Sequence, residues 1–228
     1  MKLYTKNTRL ADVIFEHPSA LTVASRFGIN PGVGEYSVGS TCESRGIDTS
    51  FFLAILNTYL HEDYFPVNVL KSFSVNLILD YLTATNQYYS RVQIPNVERH
   101  FSLLINHSSG SGNLRLLHGF FGEMKQELTA RINMDCELRF PAIRNLEKGL
   151  TGDPMLSQMT ESDALVEDKT SDLLRFFVVH LSGDYDRNLC HAVVNAIFTL
   201  DKDIRQNNRI RDRILRPMAQ SLLERKAE

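Results

Sequence analysis

The stretch that decides the fold class is residues 114–141, LRLLHGFFGEMKQELTARINMDCELRFP. Its apolar residues recur in alternating steps of four and three, which keeps them on one face of an α-helix. Two charged residues, Arg131 and Asp135, interrupt this face. The whole stripe is Leu117, Phe121, Met124, Leu128, Arg131, Asp135 and Leu138. The pattern predicts a long helix that turns a polar pair toward the core.

Three other stretches repeat this pattern of an apolar face with polar residues in its middle. Their inward stripes are Val75, Leu79, Leu82, Asn86 and Tyr89; Met159, Ser162 and Val166; and Val193, Ile197, Leu200, Ile204, Asn207, Arg211, Ile214 and Met218. An unpaired buried polar group costs on the order of 1 to 3 kcal/mol, so such residues are expected to satisfy one another. The predicted polar cluster consists of Asn86, Arg131, Asp135, Ser162, Asn207 and Arg211.

The fold class predicted from these patterns is all-α. Four long helical stretches, residues 74–105, 114–146, 155–181 and 188–223, are separated by short turns rich in Gly, Ser and Asp, as in an up-and-down four-helix bundle. The first sixty residues instead predict short helices, at residues 10–16, 18–27 and 48–59. We therefore expect a small helical N-terminal domain at residues 1–64 and a bundle at residues 72–228.

The composition of the chain limits the classes of partner that we expect it to bind. The chain of 228 residues is 43% hydrophobic and has a formal net charge of -2, so its overall charge favours neither nucleic acid nor a membrane surface. A signal-peptide-like apolar run is missing from the first residues, and we expect a cytoplasmic protein. Cys42, Cys136 and Cys190 lie far apart, which favours reduced thiols. Arginines near the C-terminus fit a helix dipole better than a nucleic-acid surface.

Short motifs in the first fifty residues resemble the N-terminal domain of the iron-sulfur cluster repair di-iron proteins. They are LADVI at residues 10–14, His17-Pro18, FGIN at residues 27–30 and TCESRGID at residues 41–48. That family carries two adjacent cysteines shortly after a similar F/Y-G-I-D motif. This chain has Gly32 and Val33 there.

The resemblance continues into the long helices and implies a hemerythrin-like bundle. The family's pattern of a histidine, a glutamate four residues later and then L-F-P corresponds to Arg131, Asp135 and residues 139–141. Its closing H-x-x-x-E corresponds to Asn207 and Arg211. The first-helix histidine corresponds to Asn86 or Gln87, and the third-helix E-H-D to Glu161, Ser162 and Asp163. All four histidine positions are replaced.

A di-iron cofactor is therefore what the resemblance implies, but its ligands are absent. Arginine keeps its proton in proteins and opposes a bound cation, so we predict no metal and no cofactor. We expect Arg131 or Arg211 to pair with Asp135, with Asn86, Ser162 and Asn207 supplying hydrogen bonds. Alternatively, the arginines extend to water at the edge of the stripe.

Three functions follow as hypotheses. The first is a non-catalytic module, with a regulatory or protein-interaction role in stress or metal physiology and an unknown protein partner. The second is an iron protein for iron-sulfur cluster repair, or for oxygen or nitric oxide response, with non-standard ligands. The third is a sensor of a small anion in the former metal pocket.

Overall fold

A computed structural model describes the backbone of residues 2–108, 112–150 and 156–227, with side chains in the last range from residue 163 to residue 225. Within these ranges every regular element is helical, and only an isolated bridge joins Arg9 to Ser37. The predicted all-α class is confirmed. None of the helices in the described ranges combines the length and apolar character needed to cross a membrane.

Five short helices form the first third of the chain: α1 Leu10–Glu16, α2 Ala20–Arg26, α3 Val38–Glu43, α4 Thr49–Leu60 and α5 Val67–Ser72. Asp48 caps α4, as its side chain accepts a 2.9 Å hydrogen bond from the amide of Phe51. The three prolines of this region, Pro18, Pro31 and Pro66, lie between helices, where they separate the short apolar segments.

The longer stretches contain α6 Val75–Tyr88, α7 Ile94–Asn106, α8 Leu114–Met134, α9 Phe140–Glu147, α10 Leu156–His180, α11 Arg187–Ile210 and α12 Arg216–Ala227. In the middle region α8 packs on α10, and α11 packs on both α7 and α10. Toward the N-terminal helices, α6 contacts α2 and α9, while α9 contacts α12. The helices therefore enclose a shared interior into which side chains of α6, α8, α10 and α11 converge.

In the described parts of the long stretches, π-helical turns interrupt the α-helices at Tyr89–Gln93, Asp135–Arg139 and Arg211–Leu215. Each begins at a buried polar residue and is followed by a proline, Pro95, Pro141 or Pro217, six residues after its start. A proline ring within a helix crowds the carbonyl four residues earlier, which here lies inside the wider turn. The π-helical turns thus let the helices continue through the prolines.

The second π-helical turn corrects one residue of the predicted inward stripe. Leu138 was expected to face the core, but it is 52% exposed, whereas Arg139 is 4% exposed. The additional residue of the turn shifts the helical register at this place, so that Arg139 takes the inward position. Upstream of the turn the stripe from Leu117 to Asp135 is buried as expected.

The buried apolar side chains that the structure describes form two clusters. One combines residues of α1–α6 with residues of α9 and α12, such as Phe52, Leu79, Ile143 and Ala219. The other joins α7, α8, α10 and α11, and contains Phe101 among its members. The short helices thus share one apolar core with the ends of the long stretches. The buried polar groups described next include residues from helices that contribute to each cluster.

Candidate functional site

A buried network of arginines and aspartates lies at the π-helical turns, and Arg211 is at its centre. Arg211 is 2% exposed and forms two hydrogen bonds with Asp135: Nη1 to Oδ2 at 2.6 Å and Nη2 to Oδ1 at 3.0 Å. Its Nε donates to Oδ2 of Asp163 at 2.7 Å. One guanidinium therefore bridges a carboxylate from the second π-helical turn and a carboxylate of α10, in the forked geometry that suits arginine.

Neighbouring side chains supply the remaining hydrogen bonds of the two aspartates. Arg131 Nη1 donates to Asp163 Oδ1 and to Asn208 Oδ1, both at 3.0 Å. Asp135 also accepts from Asn86 Nδ2 and from Arg139 Nη1, each at 3.2 Å. We call these residues the arginine network: Asn86, Arg131, Asp135, Arg139, Asp163, Asn208 and Arg211.

The charges in this network hold each other in the ionised state. Burial opposes the charged form of Asp135, but the positive charge of Arg211 and its hydrogen bonds outweigh burial and lower the pKa of this carboxyl group. Burial likewise opposes the charge of Arg211, and the two nearby aspartates more than compensate, so the pKa of Arg211 is raised. Both members of the pair are therefore ionised at neutral pH.

The structure brings together four of the six residues predicted for the polar cluster, namely Asn86, Arg131, Asp135 and Arg211. Asn207 is also buried, but it bonds elsewhere: its Nδ2 lies 3.2 Å from the hydroxyl of Tyr89 and 2.7 Å from the carbonyl of Asp203. The side chain of Ser162 lies outside the described residues.

Sequence reasoning missed three members of the network: Arg139, Asp163 and Asn208. A signal for Asp163 was present, because a carboxylate beside the predicted inward position of α10 complements two inward arginines better than a serine does. Asn208 follows Asn207 and had no signal of its own. Arg139 is inward only because the π-helical turn changes the register.

A second buried polar group, also unanticipated, surrounds Arg26 at the end of α2. Its guanidinium forms an ion pair with Asp203 of α11, and both side chains are fully buried. Nη1 of Arg26 also donates a 2.9 Å hydrogen bond to the hydroxyl of Tyr81. We call this the Arg26 pocket, and it is formed by Tyr59, Tyr81, Tyr88, Tyr89 and Asp203.

The arginine network does not fit the di-iron group that the family resemblance implies. The guanidinium of Arg211 already satisfies both oxygens of Asp135, and three permanent cations surround the place. Among the described residues, no group of three or more His, Cys, Asp or Glu side chains is arranged to hold a metal ion. The network can bind charge and fix helix positions.

No protein-family model matches the chain, and a search of curated proteins finds no matching relative.

Proposed function

We propose that this chain is a non-catalytic, hemerythrin-like module with a regulatory or protein-interaction role in stress or metal physiology. In this proposal residues 72–228 form a four-helix bundle behind a small helical N-terminal domain at residues 1–64. The arginine network takes the place of a metal centre and joins the helices of the bundle. The proposal includes a cytoplasmic location and an unidentified protein partner.

The observation that carries the proposal is the position of Arg211. Its guanidinium bridges Asp135 and Asp163 at hydrogen-bonding distances, in the interior at the level where the family resemblance expects a cation. A fixed positive charge here does structurally what a metal ion does, because it holds carboxylates from different helices together. It supplies no redox chemistry, which is the reason for proposing a non-catalytic role.

A small-anion sensor receives less support from the same geometry. Three buried guanidiniums, of Arg131, Arg139 and Arg211, face the carboxylates of Asp135 and Asp163. The carboxylate of Glu167 lies 2.7 Å from Asn208, but it pairs with Arg205 at 3.2 Å. The two carboxylates of Asp135 and Asp163 compensate two of the three positive charges within the network. An added anion is not needed to account for the network.

Metal analysis tests the proposal. We expect full-length protein, produced with iron in the growth medium, to contain well under one iron per chain and to show no iron-dependent absorption. The reason is that no lone pair on a guanidinium is available to a cation. Around two irons per chain would refute the non-catalytic assignment and support iron chemistry through other ligands.

The Asp135→Ala variant separates a structural role from a metal-binding one. If Asp135 only pairs with arginines, the variant loses thermal stability while its metal content stays at the wild-type level. If Asp135 ligates iron, the variant loses bound iron as well. Comparing metal content and unfolding midpoint on the same preparations distinguishes the two outcomes.

A further inference from the structure

The Arg26 pocket combines the features that proteins use to recognise organic cations. The guanidinium carbon of Arg26 lies 5.4 Å from the ring centre of Tyr88 and 5.6 Å from that of Tyr81. Tyr59 and Tyr89 lie at 5.9 and 6.0 Å. Aromatic faces within about 6 Å attract a cation through their quadrupoles, and Asp203 adds a full negative charge.

The protonation states in the pocket favour a cation as its occupant. Burial, with the charge of Asp203, raises the pKa of Tyr59 and of Tyr89 well above the usual range. Burial also raises the pKa of Tyr81, so these phenols stay neutral and keep their rings as the attractive surface. Although burial opposes the charge of Arg26, Asp203 more than offsets it and raises the pKa of the guanidinium.

Asp203 accepts hydrogen bonds at both of its carboxylate oxygens, from Arg26 and from Asn207. Nε of Arg26 and Oδ1 of Asn207 are both buried and have no hydrogen-bond partner among the described residues. Each residue also bonds to Asp203. A buried polar atom without a partner carries a desolvation cost, which the charge of Asp203 and the tyrosine ring faces must offset.

A cavity of about 180 Å³ lies against the pocket. Arg26 and Tyr81 form part of its lining, together with Asp48 and Asp80, whose side chains are exposed. Asp80 already pairs with Arg144 at 2.7 Å, so it is the carboxylate of Asp48 that favours the approach of a cation over that of an anion. Removal of the Arg26 side chain would extend this cavity toward Asp203.

We propose that the Arg26 pocket is a cation-binding site for guanidinium groups, and that the chain fills it with its own arginine. Docking of α2 against α4, α6 and α11 is then equivalent to binding a tethered ligand. This site is independent of the proposed function and does not require the arginine network to replace a metal. Its ligand class is a planar guanidinium, free or on an alkyl chain.

Chemical rescue tests the site. We expect Arg26→Ala in the full-length chain to lower the thermal unfolding midpoint by roughly 6 to 20 °C, since it strands Asp203. Millimolar guanidinium should then raise the midpoint of the variant by about 3 to 6 °C at ten times its dissociation constant. Wild-type protein should show no rise, because its pocket is full.

Controls separate site binding from general effects of the additive. Urea has the same shape without the charge, and sodium chloride at equal concentration matches the ionic strength; neither should rescue Arg26→Ala. The double variant Arg26→Ala with Asp203→Asn should lose most of the rescue by guanidinium. Equal effects of guanidinium on the single variant, the double variant and the wild type would overturn the proposal.

A second pair of variants tests whether the pocket selects a cation if Arg26→Ala does not fold. Arg26→Lys keeps a cation in the pocket, whereas Arg26→Met has a similar length without the charge. We expect the lysine variant to have the higher unfolding midpoint, because the rings and Asp203 attract its ammonium group. A methionine variant as stable as the lysine variant would show that the pocket does not select a cation, and would equally overturn the proposal.

Discussion

The arginine network and the Arg26 pocket both stabilise buried charges, but they do so with different sets of partners. In the arginine network, Asp135 accepts hydrogen bonds from Arg211, Arg139 and Asn86, so its charge is shared among several donors. In the Arg26 pocket one carboxylate faces one guanidinium, and tyrosine rings surround them. The first arrangement includes residues of all four long helical stretches, whereas the second fastens a short N-terminal helix to α11.

This difference indicates that the number of groups bonded to a buried charge, more than its degree of burial, decides how sensitive that charge is to substitution. Side chains in both groups are almost fully buried. Removing one partner of a buried ion pair is costly because the other charge stays buried, with neither an ionic partner nor water to stabilise it. Where a third group already bonds to the remaining charge, part of that cost is avoided. The pocket should therefore be more sensitive to substitution than the network.

The largest expected effect is that of Asp203→Asn in the Arg26 pocket. The substitution leaves the buried guanidinium of Arg26 without its only described carboxylate partner, and we expect unfolding to become easier by about 3 to 5 kcal/mol. Denaturant titration, with the slope checked for two-state unfolding, measures the change. A loss below about 1 kcal/mol would contradict the view that a single pair carries the charge balance of the pocket.

A smaller effect is expected for Arg211→Met in the arginine network. Asp135 keeps Arg139 and Asn86, and Asp163 keeps Arg131, so we expect a loss of about 2 to 4 kcal/mol. The same denaturant titration applies. A loss larger than that of Asp203→Asn would reverse the comparison between the two regions.

Arg144→Gln provides the matched surface control for Arg211→Met. Arg144 bonds to Asp80 at 2.7 Å, but the carboxylate side chain is 66% exposed. Exposed ion pairs contribute less than about 1 kcal/mol, so this variant should resemble the wild type.

The smallest expected effect concerns acid. The pKa of Asp135 is lower in the folded chain than in the unfolded one, where it is about 3.9, so the unfolded state binds the additional proton first. The stability that this group contributes is present above about pH 4 and is lost as the pH falls through the folded pKa. Unfolding midpoints between pH 6 and pH 3 should decline less steeply in Asp135→Asn than in the wild type. Parallel declines would show that Asp135 does not titrate abnormally.

Periodicity in the sequence predicted the helical class and the outer limits of the long helical stretches, because steps of three and four residues define a face without any tertiary information. It did not predict α3 or α5. It identified Arg131, Asp135 and Arg211 as inward for the same reason. Arg26 had no such signal: a cation at the end of a short helix is ordinarily explained by the helix dipole. Only the packing of α2 against α6 and α11 shows that its side chain enters the interior.

The residues Arg139 and Leu138 show where a periodic pattern stops being informative. The stripe assumed one constant helical period, and the π-helical turn Asp135–Arg139 breaks it. A proline lies two residues beyond the end of each such turn and can be seen in the sequence. A proline, however, ordinarily indicates a helix end or a kink. Its association with a wider turn becomes evident only in three dimensions.

A π-helical turn corresponds to one residue inserted into an α-helix, and one residue corresponds to a rotation of about 100° about the helix axis. Deleting a single residue from the second of these turns, such as Cys136, would turn Phe140 and Ile143 away from the core while Leu128 and Arg131 kept their places. Loops between helices tolerate changes of length, but these three short segments do not. The length of the chain is thus fixed most strictly in the middle of its helices.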